Sequence, residues 1–303
     1  MKRIVVHEVG PRDGLQMEKE TVPTDTKEAW IHEVMRAGVD IVQVGSFVHP
    51  EKVPQMADTD ELFRRLTAAP HAGVTLSGLV LNEKGLERGL ACGVEMFCMG
   101  ASASDTHSRK NSGMSTEDAT SRIVVAAESA RAAGKRVQLS VQSAFGCGFE
   151  GRIPAERVLG MVRAYLDAGF RQISLADTAG HAHPSQVEEL FGAVMALAPD
   201  VECTCHFHNT YGLGMANVYA AMRMGVTHFE TSFGGLGGCP FTKVAAGNVA
   251  TEDFVFALHR QSLRPDIDLA RLIGLARQVA HHFGRELPGY VQKTGPVPSM
   301  GVA

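Results

Sequence analysis

The sequence lacks most features that would declare a function outright. It has no excess of charge: 29 Lys and Arg stand against 33 Asp and Glu, a formal net charge of -4 over 303 residues. Such balance gives no electrostatic sign of a nucleic-acid or membrane-surface partner and leaves room only for a local basic site toward an anionic cofactor. No apolar run reaches the length of a transmembrane helix. The opening Met1–Val9 is too short and too soon charged for a secretory signal, so a cytoplasmic location is expected. No Cys-x-x-Cys pair exists among the six cysteines, Cys92, Cys98, Cys147, Cys203, Cys205 and Cys239. Structural zinc sites usually bring paired knuckles, so a zinc site on Cys203 and Cys205 is the weaker reading. Reduced core thiols are the stronger one, with Cys239 set apart. No G-x-G-x-x-G follows an early strand, which counts against a doubly wound nucleotide-binding sheet.

What is present is a rhythm. A glycine closes a helical pattern and a strand pattern follows, at Ala37-Gly38-Val39, Cys92-Gly93-Val94, Ala133-Gly134-Lys135, Ala168-Gly169-Phe170 and Met224-Gly225-Val226. Glycine terminates helices because it enters the left-handed region without penalty. Strands are expected at 3–9, 39–45, 73–80, 94–100, 136–142, 170–176, 201–208 and 226–232. Helices are expected near 24–37, 58–68, 83–92, 117–133, 154–168, 184–198, 214–224 and 251–261, with one more near 267–283. This is (β/α)₈ order: a TIM barrel with an additional C-terminal helix, read as one domain over 1–303 with an irregular tail over 287–303. The strands look near-continuous in apolar character, as parallel strands covered on both faces should.

In such barrels active sites gather at the C-terminal ends of the strands. Polar residues gather there in this chain. Arg12 and Asp13 follow strand one, Ser140 and Gln142 end strand five, Asp177 ends strand six, and His206 and His208 end strand seven. Strand period two puts both histidines on one face. The pair alone fits metal ligands or a hydrogen-bonded polar mouth. Asp13 and Asn248, delivered to the same end, would complete a mixed N/O site for Mg²⁺ or Mn²⁺, or for zinc with open positions. Arg12 could hold a developing oxyanion or form a salt bridge that shapes its loop. Cys239 lies in Gly234-Gly235-Leu236-Gly237-Gly238-Cys239-Pro240. It reads either as an acid–base group on a moving loop or as a passive residue of a glycine turn. No Gly-Lys-Ser/Thr follows, so this is not a Walker loop.

The runs VGPRDGLQ (9–16), SFVHPEKVPQMAD (46–58), FGCGFEG (145–151), ISLADTAG (173–180), HFHNTYG (206–212) and GLGGCPFTKVAAGNVATED (235–253) resemble the 3-hydroxy-3-methylglutaryl-CoA lyase family. That family belongs to the metal-dependent TIM-barrel lyases and aldolases related to isopropylmalate and homocitrate synthases. The resemblance implies Asp13, His206, His208 and Asn248 as metal ligands, with Mg²⁺ or Mn²⁺ as the cation. It implies Arg12 at the thioester enolate, Asp177 as a proton-transfer group and Cys239 as the catalytic cysteine. Gln16, Gln43, Ser140 and Asn209 fall where the acyl group would bind. The implied reaction cleaves 3-hydroxy-3-methylglutaryl-CoA to acetyl-CoA and acetoacetate, with coenzyme A as part of the substrate and a homodimer as the assembly.

The chain departs from the pattern in places. Gln43 stands where the family carries glutamate, and Asn209 where it reads His-x-His-Asp. The strand-five run Gln138–Ser143 differs from Gly-Tyr-Val-Ser-Cys, Gly148 replaces a proline, and the tail has no cysteine. Two lost carboxylates and a lost tyrosine reshape the acyl pocket. A sister lyase for another branched 3-hydroxyacyl-CoA therefore stands beside the family reaction. The GLGGCP loop argues against a condensing synthase. A non-catalytic metal-binding barrel would leave Arg12, Asp177 and Cys239 without a purpose.

Overall fold

The computed structural model describes residues 3–68, 70–71, 73–238 and 247–297. Eight parallel strands close into a barrel in sequence order: β1 (Val5–Glu8), β2 (Ile41–Ser46), β3 (Thr75–Leu79), β4 (Met96–Ser102), β5 (Arg136–Gln142), β6 (Gln172–Asp177), β7 (Glu202–Phe207) and β8 (His228–Thr231). The closing seam pairs Val5 with His228 through to Glu8 with Thr231. The helices are α1 (Thr24–Ala37), α2 (Thr59–Thr67), α3 (Glu83–Ala91), α4 (Asp105–Ser112), α5 (Thr116–Ala132), α6 (Ala155–Asp167), α7 (Pro184–Leu197), α8 (Gly214–Arg223), α9 (Thr251–His259), α10 (Leu269–His282) and α11 (Val291–Thr294). The expected TIM barrel with an added C-terminal helix is the fold. The five punctuating glycines all take left-handed backbone, from φ 74° at Gly134 to φ 89° at Gly225.

Two elements differ from expectation. Helix α4 carries DTHSRKNS and has no apolar stripe to betray it. Caps hold it instead: Ser104 Oγ accepts from the His107 N–H at 3.1 Å, and Glu150 accepts from Ser104 Oγ at 2.9 Å and from the Thr106 N–H at 2.7 Å. The described part of the tail contains α11, and Asp253 accepts from the backbone N–H of Tyr290 and of Val291, the latter at 2.7 Å.

The barrel interior is less apolar than the strands suggested. Outward positions such as Val6, Val42, Leu76, Phe97, Leu139, Ile173, Leu175 and Phe229 join the main apolar cluster beneath the helices. Inward positions carry a polar layer. His7 Nε2 meets Ser77 Oγ at 2.9 Å, and Gln138 Nε2 donates to Glu230 Oε1 at 2.5 Å. β1 and β3 are not neighbours, nor are β5 and β8, so these bonds cross the inside of the barrel. A small apolar group, Ile41, Met96 and Cys98, backed by Val5 and Leu79, lies inside, separate from the main core. Branched apolar residues usually fill this space. His7, Ser77, Gln138 and Glu230 are tolerated there because they find partners across the barrel. Among the described residues, no helix is long and apolar enough to cross a membrane.

Candidate metal centre

After β1 the chain does not run straight into a helix. It makes one wide helical turn over Gly10–Gly14, begun by Pro11 and anchored by the Asp13 N–H donating to Val9 O at 2.7 Å. That turn lays Arg12 and Asp13 across the barrel mouth. β7 brings His206 and His208 to the same place by strand parity. His206 Nε2 and His208 Nε2 are 3.0 Å apart. Asp13 Oδ2 lies 3.4 Å from His208 Nε2 and 3.9 Å from His206 Nε2. Among the described residues, this is the one cluster of three such groups able to share a metal ion.

Proton positions sharpen the fit. His208 Nδ1 lies 3.0 Å from Thr178 O, a carbonyl that can only accept, so Nδ1 carries the hydrogen. The Nε2 lone pair of a neutral His208 therefore points at His206 and Asp13. Bonds of about 2.0–2.2 Å to a small cation put neighbouring ligand atoms roughly 3.0–3.6 Å apart. Two of the three separations, 3.0 and 3.4 Å, fall in that range, and the third, 3.9 Å between His206 and Asp13, lies just beyond it. Asn248 completes the corner. The segment around it pairs along the end of β7, and its Nδ2 donates to Asp13 Oδ2 at 2.8 Å and Leu236 O at 3.0 Å. Its Oδ1 is buried with no hydrogen-bond partner. Turning the Asn248 amide would bring this orphaned oxygen to the place its Nδ2 takes beside Asp13, where it suits a hard divalent cation.

A cavity of about 260 Å³ opens over these residues. Arg12, Gln16, Gln43 and Ser140, all expected at the site, line it with Asp13, His206 and His208. Arg12 is held on two sides: Nη1 donates to Asp13 Oδ1 and Nε donates to Gln43 Oε1. Burial opposes ionisation of Asp13, but Arg12 and the two histidines outweigh it and keep its carboxyl well below the usual range. The wall opposite β7 and β8 is built by Leu79, Leu81, Met99, His107 and Asn111.

Two expected residues are placed elsewhere, for one reason. Asp177 and Asn209 have the opposite strand parity to Ala176 and His208, so neither lines the cavity. Asp177 accepts from the His181 N–H at 2.8 Å and the Ala182 N–H at 3.1 Å. Burial outweighs these donors and the nearby histidines and raises its carboxyl. Asn209 Oδ1 accepts from the Gly214 N–H at 2.9 Å and ties β7 to the start of α8. Cys239 lies outside the described residues. Cys203 and Cys205 alternate with His206, face the helices, and are free and buried, which fits core thiols.

Sequence reading missed Glu230, whose Oε2 lies 2.9 Å from His206 Nδ1. Its inward parity on β8 was the available signal. It also missed a pair of buried carboxylates beneath the glycine run. Glu8 accepts from the Gly10 N–H at 2.7 Å, the Phe233 N–H at 3.0 Å and Thr251 Oγ1 at 2.6 Å. Glu252 accepts from the Gly234 N–H at 3.0 Å. Burial raises Glu8 to about 7 and Glu252 to about 8. Trp30 packs edge-on against Phe233 at 6.1 Å and His282 at 5.1 Å, fastening the same turn to α1 and α10.

With this geometry in place, comparison with known proteins is direct. The HMGL-like family model matches residues 3–279. A hydroxymethylglutaryl-CoA lyase of Bacillus subtilis is 36% identical over 287 residues, covering 95% of each chain. An (R)-citramalyl-CoA lyase of Chloroflexus aurantiacus is 36% identical over 305 residues, covering 98% of this chain and 96% of that one. The structure of an HMG-CoA lyase from Acinetobacter baumannii, solved with coenzyme A and 3-methylmalate, superposes with a TM-score of 0.92 at 36% identity, over 98% of this chain and 97% of the other. Matching nearly end to end and carrying the Asp13, His206 and His208 cluster, the chain belongs to the HMGL-like family of metal-dependent TIM-barrel lyases.

Proposed function

We propose that this chain cleaves 3-hydroxy-3-methylglutaryl-CoA to acetyl-CoA and acetoacetate, with Mg²⁺ or Mn²⁺ held by Asp13, His206, His208 and Asn248. The observation that carries this reading is the meeting of two imidazole nitrogens and a carboxylate at the barrel mouth, beside Arg12. A bound divalent cation would supply positive charge that gathers the substrate's tertiary hydroxyl and carboxylate and makes the hydroxyl more acidic. Asp13 and the two histidines fix where that charge sits. Asn248 joins them once its amide turns its oxygen inward.

Arg12 faces the cavity with its guanidinium already oriented by Asp13 and Gln43. Breaking the C–C bond leaves a thioester enolate, and a preset guanidinium lowers the energy of its oxygen without reorganising. Gln43 thus acts through Arg12, while Gln16 and Ser140 form acyl contacts. The hydroxyl proton is assigned to Asp177, whose carboxylate must leave its two backbone donors to take it. The enolate carbon is assigned its proton from Cys239, carried on the glycine-rich run. A homodimer is the assembly proposed, with light scattering as its measurement.

One observation favours a second substrate. The wall at Ser140 is small and that at Leu79, Leu81 and Met99 is apolar, which suits a longer alkyl group on carbon 3. The deciding experiment measures kcat/KM with Mn²⁺ over 3-hydroxy-3-methylglutaryl-CoA, citramalyl-CoA and 3-alkyl homologues. The highest value on the methylglutaryl thioester supports the first reading. Turnover confined to another member moves the assignment to a sister lyase. No turnover of any member by metal-loaded protein overturns both.

A further inference from the structure

Two hydrogen bonds inside the barrel, from Gln138 and from His206, converge on Glu230. Its Oε1 accepts from Gln138 Nε2 at 2.5 Å, and Gln138 Oε1 in turn accepts from Thr204 Oγ1 at 3.2 Å. Its Oε2 lies 2.9 Å from His206 Nδ1. All four side chains are buried. Each donor and acceptor in this chain has one consistent assignment. Thr204 donates its hydroxyl to the Gln138 oxygen, which points the Gln138 NH₂ at Glu230. That bond fixes the carboxylate plane, and Oε2 is left to accept from His206.

We propose that Glu230 is a positioning residue for the metal centre, holding the hydrogen of His206 on Nδ1 so that Nε2 is free to bind the cation. The inference rests on the metal-site reading of Asp13, His206 and His208. A neutral imidazole has one N–H, and the nitrogen opposite is the ligand. His208 has its choice made by a backbone carbonyl, Thr178 O. His206 has no such carbonyl among its hydrogen bonds, and without Glu230 its hydrogen could move to Nε2, the face that must coordinate. A carboxylate behind a ligating imidazole also raises its basicity and fixes the ring plane.

Part of the polar interior is thereby explained. Gln138 and Thr204 occupy space that apolar residues would fill at no polar cost, and they act by orienting Glu230. The effect reaches the cation only through His206. A residue that merely supported the fold would weaken metal binding whether or not His206 were present.

The test measures Mn²⁺ affinity by calorimetry on the full chain, stripped of metal, as wild type, Glu230→Gln, His206→Ala and the double variant. The amide keeps the size of the carboxylate. Weakening by about 10–100-fold is expected in Glu230→Gln, as for other outer partners of metal ligands. No further loss is expected when the same change is made in His206→Ala. Affinity within about twofold of wild type, or an equal loss in the His206→Ala background, would overturn the role of Glu230. Failure of the wild type itself to bind Mn²⁺ would instead overturn the metal-site reading. Nitrogen-15 spectra of histidine-labelled wild type give a check that needs no variant. His206 should show the Nδ1–H form, and an Nε2–H form would contradict the proposal even if the variants failed to fold.

Discussion

His206 and His208 reach the cavity while Asn209 does not, and the difference is one residue along a strand. Inward parity delivers a side chain to the metal; outward parity delivers it to the helices or to a loop. Asn209→Ala should therefore lower stability by about 1 kcal/mol, through loss of the bond to the Gly214 N–H, and leave Mn²⁺ affinity unchanged. Paired urea melts and calorimetry check this, and a large drop in affinity would show that Asn209 acts at the site. Cys239→Ser should keep Mn²⁺ affinity and lower kcat by about 10²–10⁴, the range of a lost acid–base group. An unchanged kcat in steady-state assays would remove Cys239 from the reaction. At this scale the ligands were legible because period-two spacing is written in His206-Phe207-His208. Asp177 was harder, since motif likeness says that a residue is present but not which way its carboxylate faces. Glu230 was harder still, because its partners Gln138 and His206 come from β5 and β7 and meet it only after the barrel closes.

The glycine run after β8 is a packing device as well as a turn. Gly237 has φ 112°, and a Cβ there would lie 2.5 Å from Asn248 Nδ2 and 3.2 Å from Asp13 Oδ2. Gly237→Ala should push Asn248 or Asp13 off position and weaken Mn²⁺ binding by roughly tenfold or more, the order of effect of disturbing a ligand's supports. Calorimetry reads the change, and wild-type affinity would mean that the backbone there yields freely. The run was visible in the sequence, but its close approach to Asp13 and Asn248 was not. Helix α4 shows the opposite case. It was not expected because an all-polar helix leaves no periodic signal. It nevertheless supplies His107 and Asn111 to the cavity wall. The barrel strands and the other major helices were legible because each glycine stop is followed by a buried run, and both signals agree locally.

Across the whole molecule, Glu8 and Glu252 join the two ends of the barrel around the turn at Phe233–Gly235. Both are raised by burial, to about 7 and about 8, from an ordinary value of 4.5. Above pH 4.5 the unfolded chain has released these protons while the folded chain keeps them until about 7 or 8. Deprotonation therefore favours unfolding, and stability should fall as pH rises across that window. Urea midpoints should drop between about pH 5 and pH 8 and drop less in Glu252→Gln; equal slopes would mean that Glu252 is already ionised in the folded state. The same barrel that buries these acids gathers Arg12, Asp13, His206 and His208 at one mouth, and metal-dependent carbon–carbon cleavage is what that gathering serves. The direct measurement is acetyl-CoA release from 3-hydroxy-3-methylglutaryl-CoA and its congeners by chelator-stripped protein, before and after adding Mn²⁺. Release should begin only with the metal and fall by more than about 100-fold in Asp13→Ala, beyond the effect of losing an outer partner. Release that proceeds equally without metal or in Asp13→Ala, or none from any thioester by metal-loaded wild type, would contradict it.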